Sequence, residues 1–179
     1  SGSVVLWEAL SLTLAQKAGI EVPKWRIETV NRKPVLILQR FDRRAKKRIP
    51  FLSAMSMLGA TDNESRSYLE IVDALKRYGS SPKADAKALW KRVIFNILIS
   101  NTDDHLRNHG FLWDSEAGWR LSPAYDLNPI SPEIKPRILS TNISPDDGTA
   151  SLDLALDYCE AFELNVSEAT IKAHVSAVL

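Results

Sequence analysis

The strongest helical pattern in the chain runs directly into an acidic loop, and this order constrains the fold more than any other feature. A wide apolar stripe at helical spacing predicts a helix over 85–100. The stripe consists of Leu89, Trp90, Val93, Ile94, Ile97 and Leu98. Two short runs, 110–113 and 119–121, then predict a β-hairpin with its turn at 114–118. Because a hairpin returns the chain to the end that it left, residues just before and just after it should lie side by side.

Three oxygen-bearing side chains flank this predicted hairpin. Asp103 and Asn108 form the pattern D-x-x-x-x-N before it, and Asp126 follows it in Ala124-Tyr125-Asp126. An Asp after a helix is often only a turn or capping residue, so the hairpin and the second acid are what favour catalysis. Protein kinases use one Asp to accept the proton of the attacking hydroxyl, and an Asn and a later Asp to hold magnesium on the nucleotide phosphates. The residues therefore predict the catalytic lobe of a phosphotransferase that uses ATP and Mg²⁺, with Asp103 as base and Asn108 and Asp126 as metal ligands.

The other polar residues of this loop have less certain roles. Asp104 is expected to be a solvent-facing or supporting carboxylate rather than a metal ligand. His105 could position the loop, contact a phosphate or act as a base, and we keep it as a candidate nucleotide-binding residue. Arg107 could neutralise phosphate charge or pair with a neighbouring acid. His109 is expected to be structural.

The remaining patterns predict an α+β fold that is mostly helical. Apolar spacing predicts further helices over 5–18, 67–78, 151–162 and 167–178. Strands are predicted over 25–30, which alternates apolar and polar side chains, and over 35–38, which is continuously apolar and should be buried on both faces. The basic run 43–48 is predicted to be a solvated loop or, alternatively, a docking surface for an acidic partner.

Composition excludes several classes of protein. The net charge of +1 does not predict a strong uniform attraction to nucleic acid, and no apolar run approaches membrane-spanning length. A single cysteine, Cys159, allows no intrachain disulfide, which favours a reducing, cytoplasmic setting. The hydrophobic fraction of 45% is that of an ordinary globular chain.

Two parts of an ATP site are missing from the sequence. It contains neither G-x-x-x-x-G-K-[ST] nor G-x-G-x-x-G, and no strand lysine like that of V-A-I-K precedes the first predicted helix. Glu8, near the start of that helix, consequently has no visible lysine partner. We therefore expect the sequence to begin partway through a nucleotide-binding lobe.

Several blocks of the sequence resemble one family of bacterial kinases. They are 18–23 (Ala-Gly-Ile-Glu-Val-Pro), 40–43 (Arg-Phe-Asp-Arg), 53–55 (Ser-Ala-Met), 101–112, which contains the acidic loop, and 121–129 (Leu-Ser-Pro-Ala-Tyr-Asp-Leu-Asn-Pro). In these blocks the chain resembles the C-terminal kinase domain of the HipA family, serine/threonine kinases that act as toxins in toxin–antitoxin modules.

The resemblance implies a protein-kinase-like C-terminal lobe joined to a partial N-terminal lobe made of a helix and a β-hairpin. Residues 1–42 would form the partial nucleotide-binding lobe with its hinge, and residues 43–179 the helical catalytic lobe. It implies the same roles for Asp103, Asn108 and Asp126, and it places Gln39 and Phe41 where the family's backbone contacts adenine. It also implies a protein substrate and a DNA-binding antitoxin partner, with no direct contact to nucleic acid or membrane.

Two alternatives to an active protein kinase remain open at this point. An inactive kinase-like module that docks an antitoxin would explain the missing phosphate loop. A small-molecule phosphotransferase would use a similar D-x-x-x-x-N loop.

Overall fold

The secondary structure of the computed structural model is α+β, as predicted, and it describes residues 2–45, 47–114, 118–131, 133–134 and 136–178. The helices are α1 (Gly2–Lys17), α2 (Ala54–Leu58), α3 (Tyr68–Tyr78), α4 (Pro82–Ile99), α5 (Leu152–Asp157) and α6 (Val166–Val178). The strands are β1 (Trp25–Val30), β2 (Lys33–Leu38), β3 (Arg43–Arg44), β4 (Lys47–Arg48), β5 (Phe51–Ser53), β6 (Gly110–Asp114) and β7 (Gly118–Leu121). None of the helices in these ranges is long and apolar enough to cross a membrane.

Helix α1 confirms the predicted first helix, and a glycine two residues after its last residue terminates it. Gly19 adopts a left-handed backbone with φ of +71°. The N–H of Ile20 donates to the carbonyl of Ala15, and the N–H of Gly19 donates to the carbonyl of Gln16. This pairing satisfies carbonyls of the last turn, which is why a residue without Cβ is favoured there. The helix buries Ala9, Leu12 and Ala15, whereas Leu6 is 54% exposed.

Strands β1 and β2 form the predicted antiparallel hairpin. Asn31 and Arg32 at its turn have φ of 50° and 60°, as a two-residue turn with matching twist requires. The prediction that residues 35–38 are buried on both faces is wrong, since Val35 is 38% exposed. Only one face of the hairpin packs inward: Leu36 and Leu38 contact a small core that α1 shares with Phe95 of α4. A two-stranded sheet has a single covered face, so continuous apolar sequence cannot be buried on both sides here.

The basic run is partly regular structure rather than a loop. Strands β3 and β4 pair Arg43 with Arg48 and Arg44 with Lys47, and Lys46 lies outside the described residues. Next to them, β5, β6 and β7 form an antiparallel sheet in that order. The predicted second hairpin is thus confirmed in β6 and β7, although residues 115–117 of its turn are not described.

Helix α4 is the centre of the main core. Its buried residues pack against α3 and against the C-terminal elements in one cluster that includes Tyr68, Phe111 and Phe162. A buried carboxylate fixes its first turn: Asp85 accepts hydrogen bonds from the Arg120 side chain and from the backbone N–H of Leu121. The start of α4 is thereby tied to β7, and its end points at the predicted acidic loop.

The two predicted closing helices are present, but the first is interrupted. Helix α5 ends at Asp157, and a 3₁₀ turn follows over Cys159–Phe162. Cys159 is buried in the main core.

Candidate active site

The acidic loop leaves α4 through a residue with left-handed backbone geometry. Ser100 has φ of 58°, and its N–H still donates to carbonyls of the last helical turn. The loop that follows is fixed from the segment after β7: the N–H and Oγ of Ser140 both donate to the carbonyl of Thr102, and Thr141 Oγ1 donates to that of Asp104 at 2.7 Å. Its path is therefore set by hydrogen bonds to parts of the chain that are distant in sequence.

Asp103 and Asn108 are brought together within this loop. The side chain of Asp103 is exposed, whereas Asn108 is buried at 7% exposure in a 3₁₀ turn over Leu106–Asn108. Asn108 Nδ2 donates to the carbonyl oxygen of Asp103 at 3.3 Å. Because the side-chain nitrogen of Asn108 makes this hydrogen bond, the side-chain oxygen is the atom that could bind a hard cation.

The segment that carries Asp126 is bonded to the same loop. Tyr125 Oη donates to the carbonyl of Arg107 at 2.6 Å, so the residue before Asp126 is hydrogen-bonded to the residue before Asn108. Burial raises the pKa of Tyr125 to about 12 against the opposing charge of Arg92, with Asp104 and Asp126 adding to the rise, so the hydroxyl stays a donor over the whole neutral range. Behind this segment, buried Arg92 of α4 donates to the carbonyl of Ser122. The hairpin thus returns the chain beside the loop, as its order in the sequence predicts.

Asp126 is held in an unusual backbone conformation. Its φ is 59°, in the left-handed region that few non-glycine residues adopt. Its exposed side chain accepts a hydrogen bond from Asn128 Nδ2 at 2.7 Å. Backbone strain of this kind persists only where the surroundings impose it, and it is concentrated at functional sites.

The donor chemistry of these side chains fits Mg²⁺. Across the described ranges there is no cluster of three or more His, Cys, Asp or Glu side chains arranged to hold a metal by themselves. Magnesium does not require one, because it is commonly held by one or two protein oxygens with phosphate and water completing the shell. An amide oxygen from Asn108 and a carboxylate from Asp126 meet that lower requirement.

Glu8 of α1 lies within the electrostatic reach of this site. It is half-buried, and desolvation first and the charge of Asp126 second raise the pKa of its carboxyl. The charged group that acts on the Glu8 carboxyl is therefore another carboxylate. Nothing in the spacing of residues 1–42 alone indicates this proximity to Asp126.

Asp104 does not face solvent, which corrects one of the two predicted alternatives. It is 2% exposed and accepts a hydrogen bond from Tyr68 Oη at 2.5 Å. Nε2 of buried His109 lies 2.7 Å from the same oxygen, and its ring meets that of Tyr68 edge-on. Burial and the charge of Asp104 raise the pKa of Tyr68 far above its usual range, so the phenol remains a donor. Asp104 thus ties the acidic loop to α3, and His109 has the structural placement predicted for it.

The two remaining polar residues of the loop differ in their hydrogen bonding: Arg107 has a partner for its side chain, whereas one ring nitrogen of His105 has none among the described residues. Arg107 pairs with Asp62, one of the two predicted alternatives, and also lies against Met55. His105 is half-buried, and within the described part of the chain its Nδ1 is a buried atom with no hydrogen-bond partner. A buried polar atom without a partner is uncommon and is compatible with a role for His105 in ligand binding.

Gln39 and Phe41 line a cavity of about 370 Å³ between β2 and the Asp126 segment. Leu38, Phe51 and Tyr125 contribute apolar and aromatic surface to it. The ring of Phe41 lies 5.6 Å from that of Tyr125 and 6.0 Å from that of Phe51. The N–H of Gln39 donates to the carbonyl of Lys24, so an adenine contact by Gln39 would use its carbonyl. Tyr125 therefore lines the cavity together with the predicted adenine residues and directly precedes the predicted metal ligand Asp126.

A bidentate ion pair braces this part of the cavity. Arg40 donates through Nε and Nη2 to the two carboxylate oxygens of Asp42, at 2.8 and 2.6 Å. The hydrogen bonds from Arg40 hold the pKa of the Asp42 carboxyl below its usual value. The carbonyl of Asp42 also accepts from the N–H of Ile49, which continues the pairing of β3 with β4 by one residue on each strand.

Sequence reasoning missed Tyr68, Tyr125 and Asn128 as supports of the site. Tyr125 and Asn128 stand beside Asp126 in the block 121–129, so their proximity was a usable signal. Tyr68 is separated from Asp104 by 36 positions, and no local pattern connects the two.

The chain is similar in sequence to bacterial proteins named as kinases. It is 27% identical over 144 residues to "Putative kinase Y4mE" of Sinorhizobium fredii, and this covers 73% of the chain and 34% of that relative. It is 22% identical over 140 residues to a "Putative kinase" of Haemophilus influenzae, covering 70% of the chain and 41% of the relative. The chain thus spans well under half the length of these relatives.

Two solved structures share its fold. A chain of the Shewanella oneidensis complex of HipA, HipB and operator DNA superposes with a TM-score of 0.82 at 20% identity, over 98% of this chain and 47% of that one. The Helicobacter pylori proinflammatory kinase CtkA superposes with a TM-score of 0.62 at 14% identity, over 97% of this chain and 85% of that one. The family model described as HipA-like C-terminal domain matches residues 1–179. The chain therefore belongs to the HipA-like C-terminal domain family.

Proposed function

We propose that this chain is the catalytic lobe of a HipA-like serine/threonine protein kinase that transfers the γ-phosphate of ATP to a protein hydroxyl. The observation that carries the proposal is the hydrogen bond from Tyr125 to the carbonyl of Arg107. It joins the wall of the cavity lined by Gln39 and Phe41 to the loop that holds Asp103 and Asn108. A nucleotide base and a reacting phosphate need adjacent sites of these two kinds.

Each candidate residue has a role that its chemistry permits. Asp103, being exposed, would orient the substrate hydroxyl and accept its proton late in the transfer. The oxygens of Asn108 and Asp126 would hold Mg²⁺, which when bound neutralises charge on the phosphates. Asn128 would keep the Asp126 carboxylate oriented through their hydrogen bond.

The adenine would occupy the cavity beside Phe41, with polar contacts from the backbone of Gln39 and Phe41. Stacking against Phe41 and Tyr125 suits a flat aromatic base. The orphaned Nδ1 of His105 is a candidate contact to the nucleotide phosphates. In this proposal residues 1–42 act as part of the nucleotide-binding lobe, with α1, the β1–β2 hairpin and the hinge, and residues 43–179 as the catalytic lobe.

We further propose that the protein acts as the toxin of a toxin–antitoxin module, with a DNA-binding antitoxin as its partner. The support is family membership together with the shared fold of a chain from a complex of HipA, HipB and operator DNA. Contact with DNA would then be made by the antitoxin.

Phosphate transfer from radiolabelled ATP tests the catalytic assignment, measured on the product of the complete gene that encodes this chain. Asp103→Asn should reduce kcat by about a hundredfold or more, because general-base catalysis contributes that much, while Mg-ATP affinity stays within about twofold. Asp126→Asn should instead weaken Mg-ATP binding. Asp73→Asn, which changes an exposed aspartate of α3 outside the candidate site, is the matched control. Equal transfer by the wild-type protein and Asp103→Asn would reject the base assignment.

An inactive docking module is the second candidate, supported by the shared fold of a chain from the complex of HipA, HipB and operator DNA. Calorimetric titration of the 179-residue chain with Mg-ATP separates the two functions. Binding that Asp126→Asn weakens supports the kinase, whereas no heat of binding together with no transfer by the complete gene product supports the module.

A further inference from the structure

A second cavity, separate from the candidate active site, lies between the basic hairpin β3–β4 and the hairpin β6–β7. It encloses about 440 Å³. Arg44, Lys47 and Arg48 line one wall, and Trp113 and Arg120 line the other. We refer to this cavity and these walls as the basic groove. It shares no lining residue with the cavity beside Phe41.

Three cations of the basic groove form no ion pair with the residues that the structure describes. Arg44, Lys47 and Arg48 are exposed, and none of them makes an ion pair within the described ranges of the chain. Other arginines nearby behave differently: Arg40 is paired with Asp42 and Arg120 with Asp85. The short β3–β4 ladder pairs Arg44 with Lys47, and Arg48, the next residue along β4, lines the same groove on a chain whose net charge is only +1. Local charge of this kind attracts an anion to one place on the surface.

The bottom of the basic groove is apolar. Ile49, Pro50 and Leu112 line it, and the indole of Trp113 is 44% exposed at its rim. Trp119 supports that indole edge-on, with ring centroids 5.3 Å apart. A half-exposed tryptophan in a groove that arginines also line has the composition of the energetic centre of a protein–protein interface.

We propose that the basic groove binds an acidic polypeptide segment of a partner protein, with one apolar side chain of that segment seated against Trp113. Its carboxylates would pair with Arg44, Lys47 and Arg48. A nucleic acid fits less well, because Glu21 and Asp114 line the same groove and would repel a phosphate backbone that carries a charge at every step, whereas a peptide can place its apolar side chain rather than a carboxylate beside them. The proposal concerns binding alone and does not depend on the proposed kinase activity.

Fluorescence anisotropy of the 179-residue chain with a labelled short peptide tests the proposal. The probe is a run of glutamates around one central leucine. The comparison probes are the same run without leucine, a lysine run around leucine, and a single-stranded oligonucleotide of similar length. The glutamate–leucine peptide should bind most tightly, and its affinity should fall as ionic strength rises, because exposed charges are screened.

Two matched variants locate the binding. Reversing the groove charges with Arg44→Glu, Lys47→Glu and Arg48→Glu together should weaken peptide affinity at least about tenfold. Lys17→Glu, Lys33→Glu and Lys83→Glu together change the net charge equally at exposed lysines elsewhere and should leave affinity within about twofold. Trp113→Ala should weaken the leucine-containing peptide and leave the leucine-free one unchanged. Circular dichroism melts check that each variant remains folded.

Three outcomes would overturn the proposal. The first is equal weakening by both triple variants, which would indicate a response to net charge alone. The second is tighter binding of the oligonucleotide than of the peptide, lost in the groove variant, which would indicate a nucleic-acid surface. The third is the absence of peptide binding to a folded wild-type chain.

Discussion

Two adjacent aspartates in the acidic loop have opposite environments. The side chain of Asp103 is exposed, where it can meet a substrate, whereas Asp104 is buried and bonded to Tyr68 and close to His109. A buried carboxylate is tolerated only with such partners, since leaving it unpaired costs several kcal/mol. The loop therefore combines a residue positioned for chemistry with one that anchors it.

Removing the anchor should destabilise the protein far more than removing the candidate base. Asp104→Ala leaves the buried Tyr68 hydroxyl and His109 without their acceptor, and we expect it to lower the free energy of unfolding by about 3–5 kcal/mol. Tyr68→Phe should cost about 1–3 kcal/mol, and exposed Asp103→Ala about 0.5 kcal/mol or less. Urea unfolding followed by tryptophan fluorescence measures all three. Equal losses for Asp104→Ala and Asp103→Ala would contradict the anchoring role.

Alkaline pH should weaken the contact between Tyr125 and the loop. The folded-state pKa of Tyr125 is about 12, above the ordinary value of 10.0, so folding favours the protonated phenol. A group whose pKa is raised by folding contributes its full stability below its unfolded pKa and loses it as pH rises through the folded pKa. Wild-type stability should therefore fall between pH 10 and pH 12 more steeply than that of Tyr125→Phe. Urea unfolding of both proteins across this range measures the difference, and parallel profiles would reject it.

At the scale of elements, the end of α4 determines where the acidic loop begins. Ser100 takes the left-handed position that glycine usually occupies, with φ of 58° and ψ of 39°. The helix can therefore stop at Ile99 and release Asn101 into the loop without a glycine in the sequence. The conformation costs energy because the Cβ of Ser100 crowds the backbone.

Replacing this residue should reveal the strain. We expect Ser100→Gly to raise the free energy of unfolding by about 0.5–1 kcal/mol, since the left-handed penalty disappears. Ser100→Val should lower it, because β-branched residues fit this region worst. Thermal unfolding of the two variants against wild type gives the sign. A loss of stability in both variants would mean that the Ser100 side chain itself contributes.

Elements defined by local patterns could be predicted from the sequence, and those defined by distant partners could not. The apolar stripe on α4 indicates where that helix lies, and the glycine after α1 indicates where α1 ends. The partial exposure of β2 depends on how many strands its sheet contains, which its own residues do not encode. The candidate site follows the same rule: Asp103, Asn108 and Asp126 stand out by spacing, whereas the burial of Asp104 depends on Tyr68, far away in the chain.

At the scale of the whole molecule, two cores of unequal size hold the protein together. The large one surrounds α3, α4 and the C-terminal helices. The small one, which contains Leu12, Ile20, Phe95 and Leu127, attaches α1 and the β1–β2 hairpin to α4 and to the Asp126 segment. Residues that could hold adenine and metal lie along the junction between them.

The small core should open before the large one. Leu12→Ala should cost about 2–5 kcal/mol and speed amide hydrogen exchange chiefly in α1, β1 and β2. Leu89→Ala, equally buried but in the large core, should cost a similar amount and raise exchange throughout α3 and α4. Exchange measured by mass spectrometry after proteolysis separates the two patterns. Identical patterns in the two variants would show that the protein opens as one unit.

The left-handed backbone of Asp126 also bears on how nucleotide affinity responds to heat. Because folding already fixes the backbone of Asp126, binding of the proposed Mg²⁺ would cost little further conformational entropy at this residue. The small core imposes that geometry through Ala124 and Leu127 on either side. Warming that loosens this core would let Asp126 relax to ordinary backbone angles, and under the proposed function the affinity for Mg-ATP should fall at temperatures where the large core is still intact.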